Sequence, residues 1–148
     1  MEAHFEIGES TYLISDDKKL IDLESVHRFL SNDSYWCLGI PLETVAKSIE
    51  NSLCIAVYQN KSLVGFSRIV SDYSTFAYLC DVFVLQEYRG KGISKSMIKF
   101  IMQHPYLQDL RRWMLMTKDA HLLYKQFGWN ELSNPEKAME ISKLNIYL

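Results

Sequence analysis

The sequence predicts an α/β domain built on a mixed, mostly antiparallel sheet, and three observations carry that prediction. Apolar runs of strand length follow one another through the middle of the chain: LCIAVY (53–58), LVGFSRIV (63–70) and TFAYLCDVFVL (75–85). Stripes with helical spacing stand before and after them. Between the last run and the next helical stripe lies EYRGKGISK (87–95), a turn rich in glycine and positive charge. A strand, a turn, a helix and a further apolar run make one β–α–β crossover, whereas the earlier runs are joined by short turns and pair antiparallel.

Taken in order, residues 4–7 and 11–14 read as short strands around the turn GES. From Leu20 to Leu30, apolar residues at 20, 21, 23, 26, 29 and 30 make a helical stripe. Pro41 stands at a natural helix start, and LETVAKSIENS then keeps Leu42, Val45, Ala46 and Ile49 on one face. LCIAVY and LVGFSRIV are joined by QNKS, a hairpin turn. ISKSMIKFIMQH supplies a helix that buries Ile93, Met97, Ile98 and Ile101, and Pro105 limits its extension. WMLM (113–116) reads as a buried strand. DAHLLYKQFGW reads as a helix with Asp119 near its N-cap and Gly128 at C′. The tail AMEISKLNIYL has room for one or two final strands.

Length and composition bound the function. The 148 residues suit one domain spanning 1–148, and 48% apolar residues are ample for its core. A formal net charge of −2 argues against bulk binding to nucleic acid or to an anionic membrane, and leaves room for a local basic patch. Cys37, Cys54 and Cys80 fit neither a disulfide frame nor a zinc pattern, and Cys54 and Cys80 read as core thiols. MEAHFEIGES shows no signal-peptide pattern, and no stretch approaches about 18 uninterrupted apolar residues. The expectation is a reduced cytoplasmic protein.

The glycine turn has a physical reading of its own. A helix begins with unsatisfied N–H groups and a partial positive charge. Glycines before that end let the chain curl so that several N–H groups converge on an anion. Gly90 and Gly92 supply the room, and Arg89 and Lys91 add charge. Two better-known phosphate motifs fail: GxGxxG and GxxxxGK[ST] both need glycine at position 95, which is Lys95.

In this strand–turn–helix setting, VFVLQEYRGKGIS resembles the acetyl-CoA-binding signature of the GNAT superfamily of N-acetyltransferases: a strand, then [Q/R]-x-x-G-x-[G/A], then a helix. Gly90 and Gly92 match its glycines, while Glu87 stands where Gln or Arg is usual and removes one phosphate contact. AHLLYKQFGW resembles a second signature, A-x-x-x-Y-x-x-x-G-[F/W], through Ala120, Tyr124, Gly128 and Trp129. The resemblance is strongest over residues 75–129. Along LRRWMLMTKDAHLLYKQFGW it points to small bacterial members whose acceptor is unassigned. It implies the GNAT acyl-CoA N-acyltransferase fold, with helices on both faces of the sheet, and acetyl-CoA as co-substrate without a metal. Carried over, the N–H groups of Arg89, Gly90, Lys91, Gly92, Ile93 and Ser94 grip the pyrophosphate. The Val82–Phe83–Val84 backbone meets the pantetheine arm. Thr117 stands where the family often has an asparagine touching the coenzyme.

Acetyl transfer from a thioester to an amine needs a base, an oxyanion donor and an acid for the thiolate. Tyr124 is the candidate acid, since a phenol with pKa about 10 stays protonated at neutral pH; it also fits a core stripe with Ala120, Leu123 and Phe127. Val82 N–H is the candidate oxyanion donor. Asp81, the ionisable residue in FAYLCDVFVL, is the candidate base, directly or through water. The alternative for Asp81 is a structural carboxylate bonded to backbone or to a cation such as Arg68. His121 is a second base candidate. Tyr78 falls on the face opposite Asp81 by alternation, unless a bulge upsets the count. Tyr35, Trp36 and Tyr73 are candidates for an acceptor pocket, with core or surface packing the favoured reading for each. The expected function is N-acetyl transfer to a primary amine of a small molecule or peptide in a ternary complex. The alternative is a non-catalytic acyl-CoA sensor, and the resemblance leaves room for a homodimer.

Overall fold

The computed structural model describes residues 1–148. Its sheet has six strands in chain order: β1 (Glu2–Ile7), β2 (Ser10–Ser15), β3 (Leu53–Gln59), β4 (Ser62–Ser71), β5 (Phe76–Val84) and β6 (Arg112–Leu115). Neighbours run antiparallel except β5 and β6, which are parallel because helix α3 (Ile93–Met102) crosses over between them. Helices α1 (Leu23–Asn32) and α2 (Leu42–Glu50) precede β3, and a short α4 (His121–Lys125) follows β6.

The sheet separates two apolar layers. On one face, Val26, Phe29 and Leu30 of α1 and Val45 and Ile49 of α2 pack with Cys54, Ala56, Phe66 and Phe83. On the other, Ile93, Met97, Ile98 and Ile101 of α3 pack with Ile55, Val57, Ile69, Leu79 and Tyr124 of α4. Covered on both faces, β3 is a continuous apolar run, and LCIAVY is buried throughout. Helices on both faces of a mixed, mostly antiparallel sheet are what the sequence predicted.

Local chemistry fixes the element ends. Asp22 caps α1 by accepting the Ser25 N–H at 3.2 Å. Pro41 begins α2 without a side-chain cap. The β3–β4 hairpin turns on Asn60 and Lys61, both at positive φ (+49° and +67°), the handedness that matches strand twist. Past α3, the fully buried His104 accepts the Tyr106 N–H on Nδ1 (3.3 Å), so Nε2 carries the proton it donates to Asp16 Oδ2 at 2.9 Å.

Three expectations are corrected. The helix over 119–129 shrinks to α4, and Asp119 is not its cap; Thr117 Oγ1 accepts the Ala120 N–H instead. Gly128 does end it: the Gly128 N–H reaches Lys125 O, the Trp129 N–H reaches Tyr124 O, and φ at Gly128 is +89°. The tail 138–148 forms no strand; its apolar residues, Met139 and Ile141 among them, are exposed. Finally, β5 carries a bulge. Phe66 pairs with Phe83 but Arg68 with Cys80, so Ser67 faces both Asp81 and Val82, and Asp81 takes φ +52°. The bulge shifts the alternation, so Asp81 meets Arg68, the partner of Cys80, and the simple count that separated Tyr78 from Asp81 fails.

Because Ile55 is fully buried between these layers, Ile55→Ala is expected to cost about 2–5 kcal/mol in urea unfolding. Leu122→Ala, at a side chain 79% exposed, stays within about 0.5 kcal/mol.

Candidate active site

At the start of α3 the chain passes through Gly90 (φ +76°) and Gly92 (φ +91°). A Cβ on either would meet nothing within 4 Å, so the handedness of the turn, not crowding, calls for glycine. Gly92 is the N-cap and offers no side chain to the helix end. Ser96 is the first residue to donate back, to Gly92 O; no backbone N–H from Gly90 through Lys95 finds an acceptor within the protein. These free donors edge a cavity of about 220 Å³ lined by Val84, Arg89, Gly90, Gly92, Ile93 and Ser94, all singled out from sequence. Tyr88, Lys95 and Leu123 line it too, and the motif reading passed over them. Lys91 does not; its ammonium lies 5.3 Å over the Tyr88 ring. Arg89 Nε donates to Val84 O at 2.9 Å, which pins the turn to the end of β5. A cluster of free N–H groups at a helix start, with cations beside it, is fitted to hold a phosphate anion.

From this cradle a slot opens along β5. The β5–β6 pairing covers Phe76 to Leu79 against Arg112 to Leu115 and stops there. Leu85 N–H bonds Val64 O on the β4 side, so by alternation the main-chain groups of Val82 and Val84 face the edge that β6 has left. Phe83 points its ring the other way, stacked on Phe29 at 3.9 Å, so only its backbone belongs to this edge.

Tyr124 lies past the slot, 7% exposed, in the wall of a larger cavity of about 690 Å³ that Thr117 and His121 also line. Burial, reinforced by Tyr35, pushes the Tyr124 phenol up to about 12. It therefore remains a proton donor at every ordinary pH.

Asp81 occupies the opposite face. Arg68 Nε donates to its Oδ2 at 2.7 Å, and Trp36 Nε1 donates to its Oδ1 at 2.9 Å. Burial works against the Arg68 charge, but Asp81 beside it outweighs that and raises the guanidinium above its usual range. This is the structural alternative for Asp81, now with a second partner, Trp36 of the α1–α2 loop, that no local motif could reveal. The same loop crosses to the β6–α4 loop, where Tyr35 Oη accepts the Lys118 N–H at 3.0 Å and Lys118 Nζ lies 5.7 Å over the Tyr35 ring. Tyr73 stands apart, against Tyr106. Burial pushes the Cys80 thiol up to about 12 and raises Cys37 as well, so neither is a thiolate at neutral pH.

Breaking the half-buried pair is expected to be costly. Arg68→Met leaves the Asp81 carboxylate without its cation and loses about 1–3 kcal/mol in chemical unfolding. Adding Asp81→Asn, which tolerates the positive φ, recovers most of that loss.

Comparison with known proteins gives this geometry a context. The sequence pattern of the acetyltransferase (GNAT) family matches residues 23–129. A Gibberella zeae protein assigned as an acetyltransferase is 30% identical over 143 residues, covering 81% of this chain and 80% of its own. The crystal structure of a Xanthomonas campestris pv. campestris protein, assigned to the same family, is 44% identical and superposes with a TM-score of 0.92 over 95% of this chain and 99% of that one. A Clostridium acetobutylicum acetyltransferase solved with acetyl-CoA shares the fold at 15% identity, with a TM-score of 0.68 over 96% of each chain.

Proposed function

Because this chain belongs to the acetyltransferase (GNAT) family, we propose that it transfers an acetyl group from acetyl-CoA to a primary amine by direct attack in a ternary complex. One observation carries the coenzyme part of this reading: the run of unsatisfied N–H groups from Gly90 through Lys95 at the edge of a cavity. Such donors lose little by meeting an anion and gain charge-assisted hydrogen bonds. The amides of Val82 and Val84, on the edge where β5 has no strand partner, are matched to an extended amide-bearing arm.

Bound there, acetyl-CoA supplies an activated acyl group, and the residues around it do the rest. Val82 N–H donates to the oxygen that gains charge as the amine attacks. Tyr124 holds the proton that the leaving sulfur takes; with the phenol up at about 12, it reaches that step protonated. Thr117, whose hydroxyl oxygen caps the approach to α4, retains its O–H for the coenzyme. Protonated, half-buried thiols at Cys37 and Cys80 favour direct attack over an acyl-cysteine route. Asp81 takes the amine's proton through water, using lone pairs left over from Trp36 and Arg68. The ion pair with Arg68 favours a second reading, in which Asp81 only braces the bulge.

Three variants and a pH profile test the scheme. Ser94→Pro deletes one free N–H in the first helical turn, where proline fits. It should weaken acetyl-CoA about 10–100-fold by calorimetry with little change in thermal stability; an unchanged affinity would sink the cradle. Tyr124→Phe should lower kcat about 100-fold or more while coenzyme affinity holds. Because the phenol titrates at about 12 and the acid form acts below that, Tyr124 gives no alkaline limb up to about pH 11; a limb near pH 10 that vanishes in Tyr124→Phe would contradict its burial. For Asp81→Asn, a fall in kcat of about 100-fold or more marks a base, and a retained kcat with lowered stability marks a brace.

A further inference from the structure

Past Leu79 and Leu115 the pairing of β5 with β6 ends, and two neighbouring residues of the α1–α2 loop link the segments that follow. Trp36 Nε1 donates to Asp81 Oδ1 on β5 at 2.9 Å. Tyr35 Oη accepts the Lys118 N–H of the β6–α4 loop at 3.0 Å, and Lys118 Nζ lies 5.7 Å over the same ring. The two rings stand edge to face with centroids 5.0 Å apart, so a shift of one disturbs the other. Their backbone is pinned on both sides. Ser34, 2% exposed, donates to Leu30 O at 2.6 Å and accepts the Cys37 N–H at 3.3 Å. Further on, the Gly39 N–H bonds Ser31 O at 2.9 Å. Trp36 also leans on Phe29, which is stacked on Phe83 of β5. Burial does not account for two large aromatics that remain 55% and 41% exposed. Each instead commits its polar atom to a partner far along the chain, 83 residues away for Tyr35 and 45 for Trp36.

We propose that Tyr35 and Trp36 are positioning residues for acetyl transfer, one dipeptide that fixes the spacing between the base on β5 and the acid on α4. The inference rests on the roles proposed above for Asp81 and Tyr124. At the β5 end, Arg68 holds Asp81 Oδ2 and Trp36 holds Oδ1, so the carboxylate plane keeps one orientation. At the α4 end, Tyr35 fixes Lys118. The residue before it, Thr117, accepts the Ala120 N–H on Oγ1 at 3.0 Å, and Ala120 O accepts the Tyr124 N–H at 3.3 Å. A short relay of bonds thus runs from the Tyr35 hydroxyl to the backbone of Tyr124. It matters because α4 has five residues, too few to be held by its own hydrogen bonds. Tyr35 also lies close enough to Tyr124 to help raise its phenol. Base and acid serve two atoms joined to one carbon, the attacking nitrogen and the leaving sulfur, so their separation is critical. A misplacement of ~1 Å costs about 100-fold in rate. The β5–β6 pairing cannot set this separation, since it ends short of both residues.

Two double-mutant cycles test this, read on kcat for thiol release at saturating acetyl-CoA. Spermidine, tyramine and L-lysine serve as amines, and water serves as acceptor where none of them reacts. Tyr35→Phe keeps the ring and removes the oxygen that Lys118 bonds; Trp36→Phe removes the indole N–H. Each should lower kcat about 10-fold, with acetyl-CoA affinity by calorimetry held within about 2-fold and an unchanged circular dichroism spectrum. Tyr35→Phe should cost nothing further in a Tyr124→Phe background, and Trp36→Phe nothing further in Asp81→Asn. Losses that multiply mark mere packing and overturn the positioning role. So does a parent-like kcat in Tyr35→Phe and Trp36→Phe when Tyr124→Phe and Asp81→Asn are impaired. A parent-like kcat in Tyr124→Phe or in Asp81→Asn removes the acid or the base itself, and the residue that serves it falls with it.

Discussion

The parallel pairing of β5 with β6 stops at Leu79 and Leu115, and the rest of the molecule is arranged around that stop. Up to it, β5 is a central strand with hydrogen bonds on both sides. Beyond it, the strand runs on from Cys80 to Val84 with β4 as its one strand partner. A strand with one bare edge inside a protein is ordinarily costly. Here the bare edge leads directly to the glycine turn, where the N–H groups of α3 are also unsatisfied. Two deficits in backbone hydrogen bonding therefore stand next to one another, and the proposed coenzyme, an extended anion, would answer both.

The bulge at Asp81 is what allows β5 to change partners without losing β4. By setting Ser67 against both Asp81 and Val82, it turns the strand and breaks the alternation of its faces. A non-glycine residue at φ +52° is uncommon, and here its carboxylate is fixed from both sides by Arg68 and Trp36. Trp36 comes from the loop after α1, and Tyr35 next to it joins the loop before α4. The bulge, the α1–α2 loop and the β6–α4 loop are thus one connected structure around the end of the slot.

Much of this was legible in the chain because it is local. The apolar runs, the helical stripes, the left-handed glycines before α3 and Gly128 after α4 each announce themselves within a few residues. Long-range consequences were not. Nothing in FAYLCDVFVL says that Asp81 lies in a bulge, because a bulge depends on the register of β4. Trp36 could be named for an acceptor pocket but not tied to Asp81, which lies 45 residues further along. The tail misled for a related reason: its alternation is that of a strand, yet a strand exists only where another backbone is there to pair with it. Residue type alone suggests Asp119 near the cap, while Thr117 reaches the helix start by an earlier turn.

The bond between His104 and Asp16 has a consequence for how the chain is made. Its partners are 88 residues apart, and the imidazole is wholly enclosed. During synthesis at ~5–20 residues per second, Asp16 emerges roughly 4–18 s before its imidazole does. Throughout that interval the amino-terminal hairpin has no lock on the crossover and relies on β3 alone. The nascent chain thus carries this hairpin early and secures it late.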